Sequence, residues 1–169
     1  LVDSALQLLI KSKGNVVAIS SICGSSFIED APIEYSVAKA SLNMYIKSMA
    51  FKHANNGIRF NAVSPGNVLF EGSTWHNKLK KDEKQVTQYI SENVPMGGFI
   101  KPEAIAEAVI FLASDGSKST TGVVLNIDGG QILWILEIFH FQNSKRIKRK
   151  ERKGKKRKEM EWNGMKWNE

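Results

Sequence analysis

Cysteine and long apolar runs are the scarcest features of this 169-residue sequence. The single cysteine, Cys23, excludes an internal disulfide framework and is typical of a reducing compartment, so we predict a cytoplasmic protein. No uncharged run approaches the ~20 apolar residues that a membrane helix needs. The apolar stretch 132–141 is short and contains Glu137, so we predict no membrane association.

The sequence also lacks an initial methionine and a recognisable secretory signal, because no basic region precedes its first apolar residues. It opens with apolar residues at the spacing of an amphipathic helix that is already under way. We therefore expect a fragment of a longer protein. The three histidines, His53, His76 and His140, do not have the spacing of metal ligands, and no metal is predicted.

The net charge of +7 comes from the C-terminal end of the chain. Residues 1–131 carry 12 basic and 12 acidic side chains, whereas residues 132–169 carry 12 basic and 5 acidic ones. We predict one globular domain over 1–131 and a disordered or non-native tail over 132–169. The basic run 145–158 leaves nucleic-acid association as a less favoured alternative, because no recognition module accompanies it.

Short apolar runs without alternation predict strands that are covered on both faces. These runs alternate with segments of helical periodicity, and residues 67–95 are otherwise polar and irregular. The predicted strands are 15–20, 58–64 and 123–128, and the predicted helices are 33–54, one around 81–92, and 101–114. The buried face of the 33–54 helix is predicted to hold Ala38, Leu42, Tyr45, Ile46 and Met49. This order predicts an α/β fold with a parallel sheet and right-handed crossovers.

Tyr35 and Lys39 lie four residues apart at the start of the helix that follows the first strand, and so share one helix face. Ligands of such sheets bind beyond the carboxyl ends of the strands, where this helix begins. An ammonium near a phenol favours the phenolate, which suits general acid/base chemistry. Ser21, at the end of the first strand, is placed to hydrogen-bond a substrate oxygen. The pattern predicts proton transfer to a carbonyl or from an alcohol; an exposed pair without a catalytic role is the alternative.

Five stretches in fixed order resemble the C-terminal half of the short-chain dehydrogenase/reductase family. They are "NVVAISSICG", "YSVAK", "IRFNAVSPGNV", "PEAIAEAVIFLAS" and "TTGVVLNIDGG", and the resemblance covers residues 1–131. It implies a Rossmann-type, doubly wound parallel sheet whose N-terminal βαβ half is missing. It also implies an NAD- or NADP-dependent oxidoreductase that acts on a small-molecule carbonyl/alcohol pair and forms a homo-oligomer.

The resemblance also implies roles for particular residues. Tyr35 would be the general acid/base, and Lys39 would lower its pKa and hold the nicotinamide ribose beside it. Ser21 would steady the reacting oxygen; it is preferred to Ser20 because the family's serine stands three residues before a glycine, here Gly24. The nicotinamide end of the cofactor would be lined by Pro65, Gly66 and Val68.

Departures from the family pattern define the rival hypothesis. Phe70 stands where the family often places a threonine that binds the nicotinamide carboxamide. The family's glycine-rich phosphate loop would lie upstream of residue 1. The chain alone is therefore expected to be inactive, and the alternative function is a non-catalytic fragment that acts through protein partners.

Overall fold

The computed structural model describes residues 2–133, which form alternating helices and strands. In this part of the chain the elements are α1 (Val2–Ser12), β1 (Asn15–Ile19), α2 (Ile33–His53), β2 (Arg59–Pro65), α3 (Thr74–Lys81), α4 (Glu83–Asn93), α5 (Pro102–Ala113) and β3 (Val124–Ile127). The predicted tail lies outside the described residues, apart from its first two positions.

The three strands form one parallel sheet in the order β1-β2-β3. Val17 of β1 is opposite Asn61 of β2, and Val63 of β2 is opposite Leu125 of β3. Parallel neighbours require crossover connections, which α2 and the α3–α5 segment provide. The predicted α/β fold with a parallel sheet is confirmed, and every predicted strand is present to within one or two residues.

Helices cover both faces of this sheet, because side chains alternate along each strand. On one face, Phe60 and Ala62 of β2 pack with α1 and α2. On the other face, Val63 of β2 packs with Ala108 and Leu112 of α5. Phe60, Ala62, Val63 and Leu112 are fully buried, so β2 is the centre of the described core.

Helix α2 has apolar residues on two faces, and only one of them meets the sheet. Ile46, Met49 and Ala50 are buried against β2, whereas Ala38 and Tyr45 are exposed, so their predicted burial was wrong. A second apolar face remains open in the described structure. It comprises Ile33, Val37, Met44 and Phe51, of which Phe51 is 89% exposed.

The segment predicted as irregular contains two helices rather than one. Ser73 caps α3 by accepting a hydrogen bond from the backbone N–H of His76, and Asp82 caps α4 in the same way through Gln85. Such caps satisfy donors that a helix N-terminus otherwise leaves unpaired. The predicted helix around 81–92 corresponds to α4, and α3 was missed.

Two polar side chains of β2 join the strand to the segment that follows α5. The Arg59 guanidinium donates hydrogen bonds to the backbone carbonyls of Leu112, Ser114 and Thr120 and to the Ser117 hydroxyl. The carbonyls of Leu112 and Ser114 lie at the C-terminus of α5, where the helix dipole favours a cation.

Asn61, which is fully buried, extends the same connection towards β3. Its side-chain amide donates to the carbonyl of Thr120 and accepts from the N–H of Val123. Arg59 and Asn61 therefore bind β2 to the chain on both sides of the turn that leads into β3.

No helix within residues 2–133 combines the length and the apolar character needed to cross a membrane.

Candidate active site

A cavity of about 710 Å³ opens at the carboxyl ends of β1 and β2, between the loops that follow these strands and helices α3 and α4. Its size falls within the range of small-molecule sites. The six residues predicted for the site all line it: Ser21, Tyr35, Lys39, Pro65, Gly66 and Val68. The two loops thus share one rim, as the strand order predicts.

Tyr35 and Lys39 lie at the open side of this cavity. Tyr35 is 43% exposed, and the Lys39 Nζ lies 5.6 Å from the centroid of the Tyr35 ring. The same Nζ donates a hydrogen bond to the Ile19 carbonyl at 2.9 Å. The lysine ammonium is therefore held between the end of β1 and the phenol.

The two adjacent serines at the end of β1 have different hydrogen-bond partners. The Ser20 hydroxyl donates to Oδ1 of Asn43, a residue buried on α2, whose Nδ2 donates to Ser25. The Ser21 Oγ accepts from the N–H of Cys23 and caps the 3-10 turn Ile22–Gly24. The Ser20 hydroxyl is therefore used in a structural hydrogen bond, whereas the Ser21 hydroxyl can still donate its proton to another acceptor.

Close contact between this turn and α2 fixes the distance between Ser21 and Lys39. A Cβ on Gly24 would lie 2.6 Å from the carbonyl carbon of Lys39. Real Cβ atoms do not approach backbone that closely, so only glycine allows the turn to pack here. Gly24 thus sets the spacing between the serine and the Tyr35–Lys39 pair.

Gly66 plays a similar part under the second loop. A Cβ there would lie 2.9 Å from the Cα and Cβ of Asp128. The Asp128 carboxylate is buried and accepts hydrogen bonds from the N–H groups of Gly130 and Ile132. The Pro65–Gly66 turn therefore packs directly on a rigid turn that follows β3.

Val68 forms a single parallel bridge with Ile100. In this bridge the N–H of Leu69 donates to Ile100, and the N–H of Ile100 donates to Asn67. The hydrogen-bonding groups of Val68 itself point to the other side of the segment, as parallel pairing requires. The Val68 backbone is thus available to a ligand in the cavity that it lines.

The wall formed by α3, α4 and the 65–70 segment contains residues that sequence reasoning missed. Tyr89 and Trp75 stack with ring centroids 5.3 Å apart, and both line the cavity together with Asn67. The fully buried Gln131 donates a hydrogen bond from Nε2 to the Tyr89 hydroxyl at 3.3 Å. The capping signal at Asp82, with Gln85 three residues later, predicts the start of α4 but not which face of the helix meets the cavity.

Burial raises the pKa of Tyr89 above its ordinary value of 10.0, and the nearby Asp30 carboxylate raises this pKa further. The hydrogen bond from Gln131 acts in the opposite direction. Tyr89 is therefore a neutral phenol at physiological pH, able to donate a hydrogen bond but not to act as a base. Within residues 2–133, no group of three or more His, Cys, Asp or Glu side chains is arranged to hold a metal ion.

Comparison with known proteins identifies the family to which the chain belongs. A family model described as Enoyl-(Acyl carrier protein) reductase matches residues 1–131. A crystal structure of an oxidoreductase of the short-chain dehydrogenase/reductase family from Burkholderia thailandensis has a TM-score of 0.71 and 30% sequence identity, and the match covers 78% of this chain and 50% of that one. The chain belongs to the short-chain dehydrogenase/reductase family.

Curated relatives within the short-chain dehydrogenase/reductase family include two bacterial enzymes. Glucose 1-dehydrogenase 2 of Bacillus subtilis is 33% identical over 133 residues, which are 78% of this chain and 49% of the relative. A 3-oxoacyl-[acyl-carrier-protein] reductase of Rickettsia bellii is 35% identical over 131 residues, 78% of this chain and 52% of the relative. The chain spans about half the length of each of these relatives.

Several of the similar structures contain a bound cofactor, and one of them illustrates this. It is a protein from Agrobacterium tumefaciens described as a putative 2-deoxy-d-gluconate 3-dehydrogenase with bound NADP. It has a TM-score of 0.67 and 29% identity, with coverage of 76% of this chain and 51% of that one.

Proposed function

We propose that this chain carries the proton-transfer half of an NAD- or NADP-dependent oxidoreductase that interconverts a carbonyl and an alcohol. The observation that supports it most strongly is the convergence of Ser21, Tyr35 and Lys39 on one cavity at the carboxyl edge of a parallel sheet. These residues come from two different elements, and the Gly24 contact holds them at a fixed spacing. An exposed surface pair would need neither the cavity nor the glycine.

The proposed chemistry assigns one task to each of these side chains. Tyr35 donates its phenolic proton to the carbonyl oxygen during reduction and takes it back during oxidation. The Ser21 hydroxyl donates a hydrogen bond to the same oxygen and stabilises the charge that develops there. The Lys39 ammonium, fixed by the Ile19 carbonyl, lies beside the Tyr35 ring and offsets the negative charge that develops on the phenol oxygen as its proton leaves.

The residues at this rim fit a nicotinamide cofactor. An ammonium and a phenol suit ribose hydroxyls, and the backbone of Val68 offers a donor and an acceptor to a carboxamide. Pro65 and Gly66 provide a close-packed turn beside them. When bound, the reduced cofactor supplies the hydride that adds to the carbonyl carbon, while the proton reaches the oxygen from Tyr35.

The test joins this chain to the N-terminal half of the Bacillus subtilis glucose 1-dehydrogenase 2, to which it is 33% identical over 133 residues. Oxidation of NADH and NADPH is followed with a panel of ketones, and reduction of NAD and NADP with alcohols that include glucose. We expect turnover with at least one pair and none in the Tyr35→Phe variant. A folded chimera that binds the cofactor but reacts with no carbonyl or alcohol would favour the non-catalytic alternative.

We further propose that the chain forms a homo-oligomer through the open apolar face of α2. Val37, Met44 and Phe51 are spaced seven residues apart on a 21-residue helix of about 31 Å. Exposed apolar faces of this extent mark interaction sites, and a two-fold axis lets the same face meet its copy. The second copy is the occupant that this self-complementary arrangement favours.

A further inference from the structure

The cavity has a polar position remote from the Tyr35–Lys39 pair. Asn67 follows the Pro65–Gly66 turn, lines the cavity and is 8% exposed. Its side-chain Nδ2 is buried and has no hydrogen-bond partner among the described residues. A buried amide donor without a partner is unfavourable, so this amide is a candidate contact for a ligand atom that accepts its hydrogen bond.

Tyr89 supplies a second donor beside Asn67. The Asn67 amide lies near enough to the Tyr89 oxygen to lower the pKa of the phenol, although it makes no hydrogen bond to that oxygen within the usual distance and angle. The Tyr89 oxygen accepts from Gln131 Nε2, and its own proton is donated to no acceptor among the described residues. Gln131 is therefore a positioning residue, which orients Tyr89 as a donor.

The surroundings favour an uncharged ligand atom at this position. Asp30 and Lys78, which carry opposite charges, both line the cavity, and the third charged lining residue, Lys39, lies beside Tyr35. Lys78 Nζ lies over the Trp75 ring, 4.8 Å from its centroid, and Trp75 in turn stacks on Tyr89. The Asp30 carboxylate, whose charge acts on Tyr89, disfavours a second anion there. Two donors on an aromatic wall suit a neutral oxygen acceptor.

We propose that Asn67 and Tyr89 form a second oxygen-binding position in the substrate cavity. The substrate is then a ketone or alcohol that carries a further neutral oxygen acceptor, as in a diketone, a keto ester or a keto amide. This inference rests on the proposed function, since it describes the substrate of the same cavity. It adds two specificity-determining residues to the three that carry the chemistry.

The test measures equilibrium binding to the full chain, which needs neither cofactor nor turnover. The ligands are a six-carbon methyl ketone and the diketones of the same carbon skeleton. Side-chain amide protons are followed by NMR, and the Asn67 signal is assigned from the Asn67→Leu variant. We expect at least one diketone to bind about tenfold more tightly than the monoketone and to shift the Asn67 amide protons downfield.

Variants separate recognition from folding. Asn67→Asp keeps the shape but removes the donor, and Tyr89→Phe keeps the stacked ring but removes the hydroxyl. Each should reduce the diketone preference several-fold, while the matched Tyr45→Phe variant on α2 should leave it unchanged. Far-UV circular dichroism checks that each variant is folded.

Three outcomes overturn the inference: equal binding of the diketones and the monoketone, an unshifted Asn67 signal, or an unchanged preference in Tyr89→Phe. If the chimera reduces ketones while the diketones show no preference, the inference fails and the oxidoreductase function stands. If a diketone binds as expected but the chimera shows no turnover, the proposed function fails instead.

Discussion

The Ser20 hydroxyl donates a buried hydrogen bond to Oδ1 of Asn43, while the neighbouring Ser21 keeps its proton unassigned in the cavity. Ser20→Ala leaves the Asn43 oxygen without its donor, so it should lower the free energy of unfolding by about 1–2 kcal/mol. Ser21→Ala should leave that free energy nearly unchanged and lower turnover of the chimera. Urea unfolding and steady-state kinetics on both variants give the comparison, and an interchange of the two phenotypes would contradict the assignment.

Tyr35→Phe removes the transferable proton while the ring remains. In the chimera we expect turnover to fall by about 10²–10⁴-fold, the usual contribution of a general acid/base, with cofactor affinity largely kept. Steady-state kinetics measure the first quantity and cofactor fluorescence titration the second. If Tyr35→Phe retained most of the activity, the central assignment would be wrong.

Lys39→Ala should damage both turnover and cofactor affinity, because the ammonium serves the phenol and the ribose hydroxyls together. Lys39→Arg should restore little, since a planar guanidinium does not replace a compact ammonium at the Ile19 carbonyl. The same two assays are used. Near-normal kinetics for both lysine variants would indicate a surface pair without a catalytic role.

Asp30→Asn should move the pKa of Tyr89 down towards 10.0, because the carboxylate is one of three causes that raise it, burial being the largest and Cys23 the third. Since the folded-state pKa lies above the unfolded one, the contribution of Tyr89 to stability is fully present below pH 10.0 and is lost as the pH rises through the folded pKa. Ultraviolet titration of the phenolate, with Tyr89→Phe as the difference reference, measures both values. A Tyr89 pKa that does not change in Asp30→Asn would show that the Asp30 carboxylate has no part in raising it.

Arg59→Met removes the guanidinium that binds the C-terminus of α5, and we expect a loss of about 2–3 kcal/mol in unfolding free energy. Arg59→Lys should recover only part of it, because an ammonium cannot reach all of these acceptors at once. Arg146, which lies beyond residue 133, offers a matched control as Arg146→Met. A similar loss in the control would mean that charge alone, rather than these contacts, is responsible.

Met44→Glu combined with Phe51→Glu should convert an oligomer of the chain into monomers, since it places charges on the open apolar face of α2. Light scattering after size-exclusion chromatography gives the mass. Ile110→Glu, on an exposed position of α5, is the control and should leave the mass unchanged. A double variant of unaltered mass would exclude this face as the interface.

The sequence predicts the sheet and most of the helices because their signals are local. Apolar runs without alternation identify β1, β2 and β3, and Pro102 with Glu103 identifies the start of α5. Helix α3 was missed because its eight residues are mostly polar and no apolar stripe follows its Ser73 cap. The exposure of Ala38 and Tyr45 was missed because apolar residues occur on both faces of α2.

That Ser21, Tyr35 and Lys39 line one cavity could be predicted, since Tyr35 and Lys39 are close in sequence and Ser21 ends the preceding strand. The opposite wall of the cavity could not be predicted from the sequence. Asn67, Tyr89 and Gln131 come from distant segments, and the first and last of them are brought together by the pairing of β2 with β3 and by the packing of Gly66 on Asp128. No periodicity along the chain encodes that arrangement.

The contacts of Arg59 and Asn61 can form only late in the synthesis of the chain. Their acceptors and donors lie between 53 and 62 residues further along the chain, so β2 is made well before the groups that satisfy it. At ordinary elongation rates the delay is about 3–12 seconds. During that interval a guanidinium and a carboxamide that belong beside the core remain in water, and β2 can pair with β1 but not with β3. The nascent chain therefore presents an unpaired edge of β2 until residue 123 and the strand after it emerge. During this stage the edge can pair with a strand of another chain.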